Sequence, residues 1–419
     1  MQTRRMAAAL SRFGPGLNDD LLYVILGYVD YRVERTAACI SRQWARLRRA
    51  WLIYTPKQTT TCAFSPDGRM VFAAGENSNV KCIDVATGRV RREIEQRLDI
   101  YVDEGSVGWH MPGQKGYIWS CAVSNDSCTL AVCCDNQQSP PNAAGAIGFY
   151  DIASGVLRHE YDTNNAVEAV TFSVNGLVAI CERNEIRLYD SYSTQTGLPP
   201  PRHILRHGRT ILGAAFSPNG SLLAVGGWDE EFPVAWFNAA TGSLCRGVKR
   251  PGTVFQVAFS TDGRTLAAGG RSGNNSVTHT LTGRVALCDV ATGALRHELR
   301  PIECVFTVAF SGDGVYLAVG GYKNVGLYDA KTYAPRRLIH FPGQVRNAVF
   351  SPDSSALVLG CYPKMLALYD PATGNLRRAT EDCFMASLRE YRREHDSWAH
   401  ESDWDSDRDS FKHESSDSD

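Results

Sequence analysis

The chain has 419 residues, 43% of them apolar, and a formal net charge of -1. That length is ample for a large core and for more than one folded unit. Near-neutrality argues against bulk nucleic-acid binding, and no apolar run approaches the ~18 residues needed to cross a bilayer, so neither a membrane nor a direct nucleic-acid partner is expected.

The two ends differ in sign. Residues 1–60 carry ten Lys or Arg against four Asp or Glu, whereas residues 394–419 carry ten acids against two bases. Such ends attract each other or different partners. Thirteen Cys is an odd number, and Cys62, Cys82, Cys121, Cys181 and Cys288 fall inside strand-like runs. They read as small buried hydrophobes of a reducing compartment, and a cytoplasmic or nuclear location is expected. The Cys133–Cys134 pair has no companion pair at zinc spacing, so no metal is expected.

Residues 1–16 read as a flexible basic tail, with a weak organelle-targeting signal as the alternative. Residues 17–51 read as helices. Leu17, Leu21, Leu22, Val24, Ile25 and Tyr28 form an apolar stripe, and Asn18 or Asp19 can cap its start. Val33, Ala37, Ile40, Trp44, Leu47 and Trp51 continue at three- and four-residue steps. A unit of this size cannot bury a good core alone and must lean on the rest of the chain or on a partner.

Residues 17–44 resemble an F-box. Leu17 stands for the motif's first Leu and Asp19–Asp20 for its acids, and the run Ile40–Ser41–Arg42–Gln43–Trp44 stands for its closing Val-Cys-Arg-x-Trp. Asn18 replaces the usual Pro, and Glu34 falls where Leu is usual. The resemblance implies docking on a Skp-type adaptor of a cullin ubiquitin ligase through Leu17, Ile25, Leu26, Ile40, Trp44 and Leu47. The alternative is that these helices pack against the rest of the chain.

From residue 58 one pattern recurs seven times. A Ser ends an apolar strand at Ser65, Ser124, Ser173, Ser217, Ser260, Ser311 and Ser351. Turns such as "SPDG" (65–68) and "SGDG" (311–314) follow, with Gly supplying a positive φ. At Ser127 and Ser354 that Gly is missing, which predicts looser turns. A small apolar second strand such as "LAVGG" comes next and suits a crowded inner position. The third strand ends at Asp84, Asp151, Asp190, Asn238, Asp289, Asp329 or Asp370, and a "TG"-type turn leads to a polar fourth strand.

Seven four-strand units at this period predict an all-β seven-bladed propeller over residues 51–380, preceded by the small helical F-box-like unit. A solenoid or sandwich fits less well, because a closed ring removes exposed sheet edges. Two segments compete for the last outer strand. We favour "WLIYTP" (51–56) over "NLRRAT" (375–380). The units resemble WD repeats over about residues 58–380, with Tyr-Asp or Cys-Asp in place of Trp-Asp and most Gly-His pairs absent. The family's buried Ser/Thr–His–Asp network is therefore expected to be incomplete.

Strand alternation puts second-to-third and fourth-to-first connections on one face. The irregular segments 103–119, 135–145, 228–233 and 271–283 are all of these kinds, so that face is the candidate binding face. It carries Trp109, Tyr117, Trp119, Trp228, Phe232 and Arg271 as candidate target-binding residues, because rigid aromatics and Arg make good interface anchors. The alternative is that some of them tuck under their own loops.

No catalytic residue and no cofactor is expected. The ten His are scattered, the "GG" runs lack the Lys-Ser/Thr of a phosphate loop, and the once-per-blade acids read as architectural. Residues 381–419 read as a short helix followed by a disordered acidic tail with seven Ser, suited to phosphorylation or simply to solubility. The favoured function is the substrate-recognition subunit of a Skp-cullin-F-box ubiquitin ligase. The alternatives are a non-catalytic WD-repeat scaffold and a small-molecule-binding or catalytic propeller.

Overall fold

The computed structural model describes residues 59–379, apart from 76–78, 96–116, 136–144, 164, 191, 194–195, 230, 250–251, 272–281, 302–303, 342 and 363–364. The F-box-like segment, the 51–56 strand candidate and the acidic tail lie outside the described residues.

The described chain forms seven four-stranded antiparallel sheets, each built in chain order. The first strands are β1 (Thr61–Phe64), β5 (Tyr117–Val123), β9 (Val167–Phe172), β13 (Thr210–Phe216), β17 (Thr253–Phe259), β21 (Thr307–Phe310) and β25 (Gln344–Phe350). Each of these packs on the first strands of the neighbouring sheets, and β1 packs on β25, so the sheets close into a ring. We number the blades one to seven in this order.

The core sits mainly in the seams between blades. One cluster joins Phe72 and Ile94 of blade one to Leu130 and Tyr150 of blade two. Another joins Cys62, Phe64 and Ile83 of blade one to Val358, Leu366 and Leu368 of blade seven, and so carries the ring closure. The Cys62 thiol also donates to Asn347 Oδ1 across that seam at 3.1 Å. The fourth strand of blade seven is Leu376–Ala379, paired with Met365–Tyr369. The outer position we had assigned to residues 51–56 is therefore filled from the C-terminal side. A local hairpin needs only the Asp370–Asn375 turn, whereas pairing through 51–56 would close a loop of some three hundred residues.

The second strands are among the most covered. Val178–Glu182 is buried along its whole length, whereas first strands such as Thr210–Phe216 are partly exposed at the ring's inner edge. The "GG" runs follow from that crowding. A Cβ on Gly226 would come within 2.5 Å of Val254 in the next blade, and one on Gly227 within 2.1 Å of the Thr210 carbonyl.

Two side-chain devices recur from blade to blade. In the first turn of blade one, Ser65 Oγ donates to Asp67 Oδ1 (2.5 Å) and accepts from the Met70 amide (2.9 Å). Ser311–Asp313 and Ser351–Asp353 repeat this. The turns at Ser127 and Ser354 are not looser. Both residues adopt φ 59° in the glycine position and donate the same backbone bond to Ser124 and Ser351, at 2.9 and 2.8 Å. The anchoring Ser and Asp hold the turn closed even where Gly is absent.

The second device sits at the end of the third strand. Asp84 Oδ1 accepts from the Thr87 amide (2.7 Å) and hydroxyl (2.6 Å), while Oδ2 accepts from Arg91 (2.8 Å). Asp289 with Thr292 and Arg296, Asp329 with Thr332 and Arg336, and Asp370 with Thr373 and Arg377 do the same. These carboxylates tie turn to outer strand, as expected of architectural acids. In blade six the usual glycine of this turn is Tyr333, also left-handed at φ 59°.

Candidate functional site

Antiparallel order puts the Ser-Pro-Asp-Gly and Thr-Gly turns on one face and the insertion-bearing connections on the other. On the turn face the described part of the 191–200 connection folds back onto blade two. Tyr192 stacks on Phe149 at 4.3 Å, and the Leu198 amide donates to Tyr161 Oη at 2.6 Å. The other face is the insertion face.

One residue per blade marks that face. In blades two, three, four, five and seven the first strand skips a pairing near its insertion-face end, between Ile118 and Ser120 and at the equivalent places. The skipped residues are Trp119, Glu168, Leu212, Phe255 and Arg346. Thr60 and Phe306 take the same position in blades one and six, donating their amides to Ala74 and Gly320. A bulge re-aims its side chain out of the ladder, so the ring presents a seven-membered, chemically varied set at the end of its inner strands.

The set is uneven in charge. Blades five to seven contribute Phe255, Phe306 and Arg346. Phe255 and Phe306 lie 5.6 Å apart, Tyr322 meets Phe306 edge-on at 5.1 Å, and Arg271 sits over Phe255 at 5.9 Å. Blade three contributes Glu168, and beside it Glu182 is buried against Arg187 at 3.2 Å. Burial pushes the Glu182 carboxyl up, and its second oxygen makes no hydrogen bond. The His207 imidazole, buried in the turn before blade four, is pushed down by the same cause.

Of the residues proposed from the sequence, Trp119 and Trp228 are 42% and 55% exposed on this face. Phe232 is half-buried beneath Lys249, whose Nζ lies 5.5 Å from its ring, and it packs on Gly247. It tucks under its own loop. Arg271 ends the second strand of blade five. These four are spread over blades two, four and five rather than gathered at one spot. Tyr117 begins β5, but its side chain, like all of Trp109, Leu17, Ile25, Leu26, Ile40, Trp44 and Leu47, lies outside the described residues. Sequence reading missed Phe255, Phe306, Tyr322 and Arg346. The usable signal was the alignment of "VFQVAF" with "VFTVAF" and "VRNAVF" at the bulge position.

Among the described residues no group of three or more His, Cys, Asp and Glu is placed to hold a metal. Cys62, Cys121, Cys133 and Cys181 are buried thiols, and burial raises the pKa of each. Cys121 is pushed up to about 11, and such thiols are inert. A cavity of about 560 Å³ opens on the turn face between blades four and five, over Trp236, Leu222 and Val290. Its Arg296 is taken up by Asp289 and Thr265, and its Arg246 by the carbonyls of Cys245 and Ala291.

The WD domain, G-beta repeat model matches residues 54–84, 105–137 and 200–231. The chain carries WD40 repeats. It is similar to the guanine nucleotide-binding protein subunit beta of Oryza sativa subsp. indica, with 24% identity over 287 residues, 64% of this chain and 68% of that protein. The subunit of the same description from Solanum tuberosum is 24% identical over 278 residues, 62% of this chain and 66% of that protein. A seven-bladed propeller with WD40 repeats is a scaffold for protein interaction. The expected departure from the usual repeat is visible at the third-strand ends, where Tyr150, Tyr189, Tyr328 and Tyr369 stand in the Trp position.

Proposed function

We propose that this chain is a non-catalytic WD-repeat scaffold that binds a partner protein on its insertion face. The exposed Trp119 and Trp228 on that face carry the reading, because large aromatics left in water on a rigid ring are what interfaces use. The relatives' own description as subunits suits a chain whose work is assembly. The test is capture of partners from cells of the source organism by the full chain, by a Trp119→Glu/Trp228→Glu variant, and by Val174→Glu on the turn face as control. Loss of partners with the first variant alone supports the reading, and retention in all three removes it.

A second, finer reading rests on residues 17–44 and their F-box resemblance. In it the helices hold a Skp-type adaptor and a cullin, and the propeller holds an unidentified target, in the cytoplasm or nucleus. Ile25→Asp with Trp44→Ala should abolish adaptor capture while the propeller still melts cooperatively. An intact chain that captures no adaptor leaves the scaffold reading alone.

A further inference from the structure

Four side chains run in series across the seams of blades five, six and seven. Arg271 Cζ lies 5.9 Å from the Phe255 ring centre, Phe255 lies 5.6 Å from Phe306, and Arg346 Cζ lies 4.5 Å from Phe306. Tyr322, 37% exposed, stands against the middle of the row. Backbone bonds fix the spacing, since the Val305 amide donates to the Gly270 carbonyl (3.2 Å) and the Val345 amide to Gly321 (2.8 Å).

The two arginines are unlike their neighbours. Arg284 and Arg300 share Glu298, and Arg296, Arg336 and Arg377 each hold an Asp. Among the described residues no carboxylate pairs with Arg271 or Arg346. One N–H of Arg346 goes to Gln344 Oε1 at 2.9 Å. A guanidinium stacked on an aromatic ring uses its flat face and keeps its edge donors, whose fork matches a carboxylate. The row thus offers a cationic fork, two aromatic rings, and a second cationic fork.

We infer that this row takes an acidic segment of a partner protein, in which two carboxylates flank an apolar side chain. The inference rests on the scaffold reading above and adds the partner's chemistry to it. An extended segment repeats its side chains on one face every two residues, about 7 Å. The pattern acid-x-apolar-x-acid therefore lays the apolar group on Phe255 and the exposed Tyr322, above the buried Phe306, and a carboxylate on each guanidinium. Two forks held apart by rings suit two separate carboxylates better than one compact dianion. Blade three places Glu168 at the equivalent bulge position, which would repel the same segment, and this sets where on the ring it lies.

The test uses the full chain and a labelled peptide of repeated Glu-Ser-Phe-Ser-Glu, with matched peptides carrying Gln for Glu and phosphoserine for Ser, read by fluorescence anisotropy. The Glu peptide is expected to bind, to weaken as salt rises, and to lose about tenfold or more in affinity with Arg346→Ala or Arg271→Ala. Arg346→Lys should not restore it, because an ammonium neither stacks nor forks. Melting curves check that each variant folds. Equal binding of the Gln peptide, or full binding by the Arg271→Ala/Arg346→Ala double variant, overturns the proposal. So does a phosphoserine peptide without Glu that binds more tightly than the Glu peptide. Val174→Glu on the turn face should leave peptide binding unchanged. Partner capture that depends on the insertion face without any Glu-peptide binding removes only this inference, whereas capture indifferent to that face removes the scaffold reading itself.

Discussion

The ring of Tyr333 stacks on His297 of the preceding blade, 5.3 Å between centroids and 21° between planes. Tyr333 does so from a left-handed backbone position that glycine fills at Gly88, Gly155, Gly242, Gly293 and Gly374. A left-handed non-glycine residue costs about 1–2 kcal/mol, and an aromatic pair returns about 0.5–1.5 kcal/mol beyond its burial. Tyr333→Ala keeps the strain and loses the stack, so it should destabilise by about 1–2 kcal/mol. Tyr333→Gly loses both and should stay within about 1 kcal/mol of the parent. Equilibrium denaturation of the two variants decides this, and an alanine variant as stable as the glycine one would sink it.

Ser127 and Ser354 share a left-handed turn position but not their surroundings. The Ser354 hydroxyl accepts from the Asp313 amide of blade six at 3.0 Å and is buried. Ser127→Gly should therefore stabilise by about 0.5 kcal/mol through relief of strain, net of added chain entropy. Ser354→Gly relieves the same strain but strands a buried amide, and should destabilise by about 1 kcal/mol. Melting temperatures shifting in opposite directions is the expected result.

Acid should loosen the ring in two stages. Asp84 is held at about 2, first by the Thr87 hydroxyl and then by Arg91, and Asp289 at about 2, first by the Thr292 amide and then by Arg296. Unfolded Asp titrates near 3.9. A carboxylate lowered on folding stabilises fully above its unfolded value and loses that contribution as pH falls through the folded one, here between about 4 and 2. His207 acts earlier. Its folded imidazole protonates below the unfolded value near 6.5, so stability begins to fall once the pH drops under about 6.5. Melting temperature against pH should show both stages, with His207→Gln removing the upper one. A single step below pH 4 in the parent chain would contradict the assignment.

Trp236 is 1% exposed in the seam of blades four and five, beside Val254, Val257 and Leu266. Trp236→Ala should cost about 3–5 kcal/mol, and Trp236→Phe markedly less. A loss below about 1 kcal/mol for the alanine variant would mean that the neighbouring cavity collapses to fill the space.

Much of this fold was legible because each blade spells out its turns. Ser65, Ser311 and their equivalents bond to the Asp two residues on, and the third-strand acids bond to their Thr and Arg, so local chemistry alone marked seven units. The binding face was less legible. Trp119 and Trp228 stood out as aromatics in irregular segments, and both are exposed. Phe255 sits in a strand that reads as ordinary core, and only a skipped pairing re-aims it, while Phe306 is core by burial and gains its place in the row from its neighbours in the adjoining blades. Arg346 becomes informative only beside Phe306, a contact between blades that no local pattern records. The last outer strand was misassigned because four apolar residues at 51–54 outweighed the short hairpin available to 375–380.

That hairpin bears on how the chain is made. Every described blade finishes with strands drawn from its own stretch of sequence, so each can assemble as soon as it leaves the ribosome. No early strand among the described residues must wait, unpaired, for the far end of the polypeptide. The step left until last is the zipping of Cys62, Phe64 and Ile83 against Val358, Leu366 and Leu368, a joint made by side chains rather than by a shared sheet. Such a joint lets old ends be linked and new ends opened at another seam, so circular permutants of residues 59–379 should retain the architecture.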